Sequence, residues 1–311
     1  MYDTVFLYLP ITEAGGVDFM SETACYIDNV NEHTYNGVTR LSGEIGGLHV
    51  FITENALKIN GGSLCKYYLG DNYQSMTRKT TQGAIEKISD TLHLSMGRAD
   101  VQRIDIAMNV VLKHPTNVYF DCLEDLTHAE RWTRTNSLYY DCDFGLLCFY
   151  DKNKQTKAEH EEIPELYRGK NVLRYEQRYT KRLPKHLKRE RVQACLLYDE
   201  AFYISLLQRW EEMYKSIEKS KTTHINGEYM IGVKELNTVG ILALAKMLGG
   251  KDKLLKEIER NRLKGVITPK AKHDLVNRIN EVFKAPPPLL TDNEDVKELD
   301  KKIKGGLKYF R

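Results

Sequence analysis

The sequence lacks the patterns that mark zinc-binding, secreted and membrane-spanning proteins. Its six cysteines form no C-x-x-C pair, and no cysteine–histidine spacing suits zinc. No stretch approaches the roughly 18 apolar residues of a membrane span. The amino terminus is acidic and has no small-residue cleavage motif after a long apolar run. These absences exclude a zinc finger and a membrane span, and they predict a reduced, cytoplasmic protein.

The net charge of the chain is small, although charged residues are common. The 311 residues are 41% hydrophobic and 29% charged, which is ordinary for a globular protein, and the net charge is only +3. Nucleic-acid binding would therefore depend on local clustering. One basic run stands out: Lys181, Arg182, Lys185, Lys188, Arg189 and Arg191. A solvated helix face and a phosphate-binding surface explain this run about equally well.

Hydrophobic periodicity predicts an α+β protein with a central antiparallel sheet and helices on one side. Residues 47–52 and 56–59 form a hairpin pattern, and residues 64–69 are expected to continue the mostly antiparallel first third. Residues 80–94 have helical spacing, and a strand pattern covers 101–111. After residue 184 the pattern is helical. We expect a domain at 1–200, a helical lobe at 201–290, and a charged, loosely attached tail at 291–311.

Three predicted strands carry chemical groups on one face. Alternation puts Tyr150 and Lys152 together in the strand 146–152, and it puts Asp105 opposite the inward apolar residues of the strand 101–111. In the strand 172–179 the shared face carries Glu176. Arginines accompany both acids: Arg103, Arg174 and Arg178. The sequence therefore offers a phenol, an ammonium and two carboxylates that long-range pairing could bring together.

These groups suit phosphoryl transfer. A tyrosine has a pKa of about 10, and Lys152 could stabilise its phenolate or a leaving oxygen. Asp105 and Glu176 are hard oxygen ligands, which favours Mg²⁺ or Mn²⁺. Packed aromatics and surface ion pairs explain the same residues without catalysis. Tyr139 and Tyr140 compete with Tyr150 as nucleophiles, since the chain has nineteen tyrosines.

At these residues the chain resembles the gene II/X family of phage and plasmid replication initiators, which is related to rolling-circle initiators of the Rep_trans type. The resemblance covers roughly residues 1–200. It is most specific at Arg103-Ile104-Asp105, Tyr150-Asp151-Lys152 and Arg174-Tyr175-Glu176, and it includes Met1-Tyr2-Asp3-Thr4-Val5 and the stretch 66–72.

The resemblance implies a relaxase-like fold and an enzyme that nicks one strand at a double-stranded origin. Such an enzyme keeps the 5′ phosphate as a phosphotyrosine ester, leaves a 3′ hydroxyl for host polymerase, and can religate the displaced circle. By this resemblance Tyr150 is the nucleophile, Asp105 and Glu176 hold Mg²⁺ or Mn²⁺, and Lys152 contacts the phosphate. The arginines and the basic run would bind origin DNA, and the helical lobe would contact duplex DNA or a host helicase.

The sequence departs from the family pattern at Asn109, where many relatives have a second acid. The ion would then have one carboxylate fewer, with Asn109 or Asp151 as a further ligand. No His-hydrophobe-His pair is present, so the histidine site of the wider relaxase class is absent. A non-catalytic regulator that binds the origin is the main alternative. RNA binding through Tyr67-Tyr68 or Tyr139-Tyr140 is a third hypothesis, and it lacks the usual RRM signature.

Overall fold

The computed structural model describes residues 1–220, 224–225, 232–284, 290–291 and 293–310. It divides into two compact units. The first comprises Met1–Lys219 and Glu298–Arg311, and the second comprises Ser220–Lys297.

A ten-stranded antiparallel sheet forms the centre of the first unit. Its strands are β1 Tyr2–Pro10, β2 Asp28–Tyr35, β3 Val38–Ile45, β4 Leu48–Thr53, β5 Ala56–Ile59, β6 Asp100–Leu112, β7 Glu130–Arg134, β8 Ser137–Cys142, β9 Gly145–Asp151 and β10 Asn171–Tyr179. The spatial order is β2-β3-β4-β5-β1-β6-β10-β9-β8-β7. The pairing of β6 with β10 joins the side of the sheet that contains β1–β5 to the side that contains β7–β9. The predicted α+β class with an antiparallel sheet is confirmed.

The helices of the first unit are α1 Leu64–Leu69, α2 Arg78–Leu92, α3 Thr116–Asp121, α4 Lys152–Ala158, α5 Leu183–His186 and α6 Glu200–Ser216. The second unit contains α7 Val233–Leu248, α8 Lys251–Leu263 and α9 Pro269–Lys284, with a short ladder of β11 His224–Ile225 and β12 Leu290–Thr291. The last helix, α10, spans Glu294–Phe310.

One face of the sheet is apolar and packs against helices. Tyr175 of β10 stacks on Phe149 of β9 at 4.5 Å between ring centroids, and Trp210 of α6 packs on Tyr175 at 4.4 Å. Residues of α2 and α10 belong to the same core, including Ile88 and Ile303. Because side chains alternate along a strand, the polar residues of β6, β9 and β10 are directed to the other face.

The helix predicted over 80–94 is confirmed as α2, but it begins two residues earlier. Thr77 caps it by accepting a hydrogen bond from the Thr80 backbone N–H, and the Thr80 side chain reciprocates. Ala84, Ile85 and Ile88 are fully buried, as the helical spacing predicts. Local capping and apolar periodicity therefore agree for this element.

Residues 64–69 differ from the expected strand, since they form α1. Ser63 accepts a hydrogen bond from the Lys66 backbone N–H, and Gly70 ends the helix in the left-handed region with a φ of 88°. A serine cap before the segment and a glycine after it are the signals that favour a helix here. The run of apolar and aromatic residues alone did not distinguish the two structures.

The charged segment at 291–311 also differs from the prediction of a loose tail. Leu299, Ile303 and Leu307 of α10 are 1%, 1% and 3% exposed. Their spacing of four residues forms an apolar stripe between charged residues. The Tyr214 hydroxyl of α6 donates a hydrogen bond to Asp300 Oδ1 at 2.7 Å. The first unit therefore extends past the predicted boundary at 200 and includes the end of the described chain.

The second unit is helical, as predicted. Its helices α7, α8 and α9 enclose a small core of Ala245, Leu254, Ile258 and Ile279. Contact of this unit with duplex DNA or a host helicase stays a prediction. Among the described helices, none is both long enough and apolar enough to cross a membrane.

Candidate functional site

Strand register brings the predicted acid and tyrosine residues to one face of the sheet. β10 lies between β6 and β9. In the strand register, Arg178 of β10 lies opposite Asp105 of β6, and Arg174 of β10 lies opposite Tyr150 of β9. Glu176 lies between these two arginines on the same face. Residues that are far apart in sequence, Asp105 and Tyr150 among them, therefore meet in one place.

Tyr150 is bonded directly to Glu176. Its hydroxyl donates to Glu176 Oε2 at 2.9 Å, and the Tyr150 side chain is buried. Burial and the neighbouring Glu176 carboxylate raise the pKa of Tyr150 well above 10. The fold therefore holds Tyr150 as a phenol whose proton already points at a carboxylate oxygen.

Three acids and three arginines form what we call the acid–arginine cluster: Asp3, Asp105, Glu176, Arg103, Arg174 and Arg178. Arg103 grips both oxygens of Asp105 at 2.8 and 2.6 Å.

The other two arginines share the remaining acids. Arg174 contacts Asp3 Oδ2 at 2.6 Å and Glu176 Oε2 at 3.4 Å, while Arg178 donates to Glu176 Oε1 at 2.8 Å. Every buried carboxylate of the cluster thus has a guanidinium partner, as burial of a charge requires.

The two predicted metal ligands differ in their electrostatics. Burial raises the pKa of Asp105, with the Glu176 carboxylate adding to this effect against the hydrogen-bonded Arg103. Burial also opposes ionisation of Glu176, but Arg174 and Arg178 outweigh it and lower the Glu176 pKa. Asp105 and Glu176 are therefore close enough to repel each other, and arginines compensate.

Asp105 and Glu176 could bind a hard divalent ion only if the arginines bonded to them moved away. No group of three or more His, Cys, Asp and Glu side chains poised for a metal occurs in the described ranges. The two predicted ligands, Asp105 and Glu176, are both bonded to arginines, and the third acid of the cluster, Asp3, is bonded to Arg174. The side chains of Arg103 and Arg178 are 24% and 30% exposed, so they have room to turn away, whereas Arg174 is 3% exposed. The two carboxylates are hard oxygen ligands of the kind that Mg²⁺ and Mn²⁺ bind, and an ion would reach them only if Arg103 and Arg178 turned away.

The two further ligand candidates are already hydrogen-bonded, and Asn109 Oδ1 accepts from Arg174 of the cluster at 3.3 Å. Asn109 Nδ2 donates to the carbonyl oxygens of Asn72 and Tyr73 at 3.0 Å each. Asp151 caps α4 by accepting from the Lys154 backbone N–H at 2.9 Å, and it accepts from Thr116 Oγ1 at 3.2 Å. Asn109 therefore ties the loop before α2 to the sheet, and Asp151 starts a helix.

Lys152 lies close to the cluster, but on a helix and not on the predicted strand. It is the first residue of α4 and does not continue the strand of Tyr150. Its ammonium is buried, donates to Gln155 Oε1 at 2.9 Å, and lies 5.3 Å from the Tyr73 ring centroid. Burial and the nearby Arg174 lower the pKa of Lys152 to about 8.

The basic run does not form one continuous surface at the cluster. Lys181 pairs with Asp141 at 3.1 Å, and Arg191 pairs with Asp100 and with Glu13. Arg189 lies over the Phe202 ring at 5.3 Å. The remaining members are exposed: Arg182, Lys185 and Lys188. The run thus divides between structural ion pairs and solvent.

The competing tyrosines separate by face. Tyr140 is on the core face, where its hydroxyl donates to the Glu124 carbonyl at 2.7 Å. Tyr139 is on the cluster face and stacks on Trp132 at 4.0 Å. Tyr67 and Tyr68 lie on α1, packed near Lys87 and Gly83 of α2. The RNA-binding hypothesis placed Tyr67 and Tyr68 on a sheet surface, and this placement was wrong.

A polar cleft of about 750 Å³ opens over the cluster. Its lining includes Asp3, Arg103, Asp105, Tyr150, Glu176 and Arg178. Sequence reasoning gave Asp3 no role at this site. The only signal for it was its place in the amino-terminal motif, because its link to Arg174 depends on how β1 and β10 flank β6.

Comparison with known families agrees with this arrangement. The family described as the N-terminal part of the gene II replication-associated protein matches residues 1–212, which include the whole sheet and the acid–arginine cluster. No curated protein matches the chain. The chain therefore belongs to this family of replication-associated proteins, the gene II replication initiators of phages.

Proposed function

We propose that this protein starts rolling-circle replication by nicking one strand of an origin through a phosphotyrosine intermediate. The observation that carries the proposal is the 2.9 Å hydrogen bond from the Tyr150 hydroxyl to Glu176 Oε2, on a cleft lined by arginines. A nucleophile bonded to a proton acceptor, beside cations that can hold a phosphate, is the arrangement that covalent catalysis needs.

The proposed step is a transesterification. The Tyr150 oxygen bonds to the phosphorus while the bond from phosphorus to the 3′ oxygen breaks. The phenolic proton passes to Glu176, which is needed because burial keeps the Tyr150 pKa high. The departing 3′ oxygen takes a proton from solvent, and the resulting 3′ hydroxyl becomes the primer for host polymerase. The reverse attack by a 3′ hydroxyl releases Tyr150 and religates the strand.

We assign the phosphate to Arg103 and Arg178. Both line the cleft and are partly exposed, and a guanidinium binds phosphate in the same planar way as it binds carboxylate. Arg174 is buried and positions Glu176. Lys152 donates a hydrogen bond to Gln155, which lines the cleft, and would add positive potential there.

Asp105 and Glu176 Oε1 would hold the Mg²⁺ or Mn²⁺ ion when Arg103 and Arg178 move to the phosphate. Such an ion would polarise the phosphate and offset the charge that develops on its oxygens.

The test is an SDS-resistant adduct with single-stranded or supercoiled origin DNA in Mg²⁺ or Mn²⁺, followed by peptide mapping. Tyr150→Phe should abolish the adduct and keep origin binding. Tyr139→Phe is the matched control, because Tyr139 lies on the same face one strand further out. Undiminished adduct in Tyr150→Phe, or an adduct mapped to Tyr139, would overturn the assignment of Tyr150.

A non-catalytic origin-binding regulator is the second candidate. One observation favours it: arginines or Tyr150 bond to every carboxylate oxygen of Asp105 and Glu176. Origin binding without a nick or adduct in either metal would support this candidate. In both cases, contact of the second unit with duplex DNA or a host helicase belongs to the proposal.

A further inference from the structure

The same face of the sheet also carries aromatic side chains that are paired with cations, and one of these cations, Arg103, belongs to the cluster as well. We call this set the aromatic–cation track. Its members are Arg40 with Phe51, Lys58 with Tyr8, Arg103 with Phe6, and Arg134 with Trp132 and Tyr139. The first three pairs lie on one side of Tyr150, and the last group lies on the other side.

Each pair is close enough for a cation–π contact. Arg40 Cζ lies 4.0 Å from the Phe51 ring centroid, and Lys58 Nζ lies 5.3 Å from that of Tyr8.

The other two contacts are similar. Arg103 Cζ lies 5.0 Å from the Phe6 centroid, and Arg134 Cζ lies 5.2 Å from that of Trp132. All four distances are shorter than about 6 Å, the limit for a cation–π interaction.

Register confirms that these residues share the outward face. Phe51 pairs with Lys58, Lys58 pairs with Tyr8, and Phe6 pairs with Arg103. At the other edge Trp132 pairs with Tyr139. The rings are only half-buried, and they alternate with the fully buried residues of the core face. Half-buried aromatic rings on this face offer stacking surfaces to a ligand.

The track also has uncompensated positive charge. Arg40, Lys58 and Arg134 make no ion pair with any residue in the part of the chain that the structure describes. Two of the acids near the track are neutralised, since Asp141 pairs with Lys181 and Asp100 pairs with Arg191. The complementary ligand is therefore a polyanion that also presents flat rings.

The track is continuous with the catalytic cleft on both sides. Phe6 and Arg103 line the 750 Å³ cleft together with Tyr150. Tyr139 lines a smaller cavity of about 240 Å³ that also includes Tyr150 and Arg178. A strand lying along the track would thus pass Tyr150 between its two halves.

We propose that the aromatic–cation track binds single-stranded DNA, with bases stacked on Phe51, Tyr8, Phe6 and the Trp132–Tyr139 pair, and phosphates on Arg40, Lys58 and Arg134. Seven strand spacings separate β4 from β7, which is about 34 Å, or on the order of ten stacked nucleotides. The inference rests on the proposed function, because it supplies the strand on which Tyr150 acts.

Tryptophan fluorescence tests the track without any nicking. The chain has two tryptophans, and Trp210 is buried in the core, so quenching by an oligonucleotide reports on Trp132. The probe is a DNA strand of about 12 nucleotides in EDTA, long enough to span the track. We expect quenching of the unmodified protein, and a dissociation constant about 5- to 150-fold weaker for Trp132→Ala.

Two further variants keep the test sharp if Trp132→Ala fails to fold. Lys58→Gln and Arg134→Gln change exposed side chains, and each should lower the slope of log affinity against log salt by about 0.7. Tyr26→Ala is the control, since Tyr26 is 43% exposed and packs on His93 at the end of α2. It should change neither the affinity nor the slope.

Three results would overturn the inference: unchanged affinity in Trp132→Ala together with unchanged salt slopes in both glutamine variants, equal competition by duplex DNA, or tighter binding of RNA of the same sequence. The proposed function fails separately. Strand binding without any adduct would refute nicking and keep the track, whereas an adduct on Tyr150 without strand binding to these residues would refute the track alone.

Discussion

At the scale of single residues, charge pairing controls the site. Arg174 is the centre of the acid–arginine cluster, because it contacts Asp3, Glu176 and the carbonyl oxygen of Asn72 at 2.9 Å. Buried charges that are paired are tolerated, but removal of one partner leaves the other uncompensated. The residues proposed for chemistry therefore also determine stability.

Replacing Arg174 by methionine should lower the free energy of unfolding by about 3–5 kcal/mol, because Asp3 and Glu176 would stay buried without their partner. Arg78→Ala is the matched control. Arg78 pairs with Glu200 at 2.7 Å, but the two side chains are 44% and 68% exposed, so the loss should be below about 1 kcal/mol. Urea unfolding followed by circular dichroism measures both. Similar losses in the two variants would contradict this account of the cluster.

Metal binding should depend on Asp105. Asp105→Asn removes one of two carboxylates, and we expect Mn²⁺ affinity to fall by about tenfold or more, equivalent to about 1.4 kcal/mol. Electron paramagnetic resonance of free Mn²⁺ measures this without any catalytic step. Asp141→Asn, on an exposed pair with Lys181, serves as the control. Unchanged Mn²⁺ affinity in Asp105→Asn would remove the proposed ion from this pair.

Lys152 predicts a pH dependence of stability. Its pKa is about 8 in the fold against an ordinary 10.5, so the unfolded chain binds more protons between these values. Stability from this group therefore rises with pH from about 8 toward 10. Lys152→Met should be more stable than the unmodified protein at about pH 7, and the difference should shrink by about pH 10. Urea midpoints at the two pH values measure it, and a constant difference would refute the lowered pKa.

At the scale of elements, the two faces of the sheet separate packing from chemistry. Neighbouring residues of β8 therefore have different surroundings: Tyr140 is buried in the core, and Tyr139 belongs to the track on the opposite face. Helix α10 completes the apolar side through Leu299, Ile303 and Leu307. A helix outside the family match at 1–212 thus supports the domain inside it.

Ile303→Ala should lower the free energy of unfolding of the first unit by about 2–5 kcal/mol, since it leaves a cavity at a side chain that is 1% exposed. Lys304→Ala, at the next and exposed position, should change it by less than about 0.5 kcal/mol. Denaturant unfolding distinguishes these values. Equal and small effects would mean that α10 contributes nothing to the stability of the sheet.

At the scale of the whole molecule, the division into two compact units separates the proposed chemistry from the helical region. The family match ends within α6, and all members of the acid–arginine cluster lie in the first unit. The second unit has its own small core around Leu254 and Ile258.

Leu254→Ala should destabilise the second unit by about 2–5 kcal/mol. Adduct formation on a single-stranded substrate should stay unchanged, because Tyr150 and its partners lie in the first unit. Hydrogen exchange of α8 and adduct yield measure the two effects. A parallel fall in adduct yield on single strands would show that the second unit takes part in the chemistry.

The sequence by itself determined the features that depend on near neighbours. Alternation in residues 101–111 and 172–179 predicted the polar faces of β6 and β10, and helical spacing predicted α2 and the helices of the second unit. These patterns are visible because side chains two, three or four positions apart share a face. The resemblance added the family, which the match over residues 1–212 confirmed.

Only the tertiary structure decided which groups meet. Pairing of β6 with β10 joins Asp105 to Arg178, although the two are far apart in the chain, and the position of β1 brings Asp3 to Arg174. The docking of α10 and the placement of Lys152 at a helix start were likewise not visible locally. The physical reason is that register and docking follow from competition among distant apolar faces, which no local pattern records.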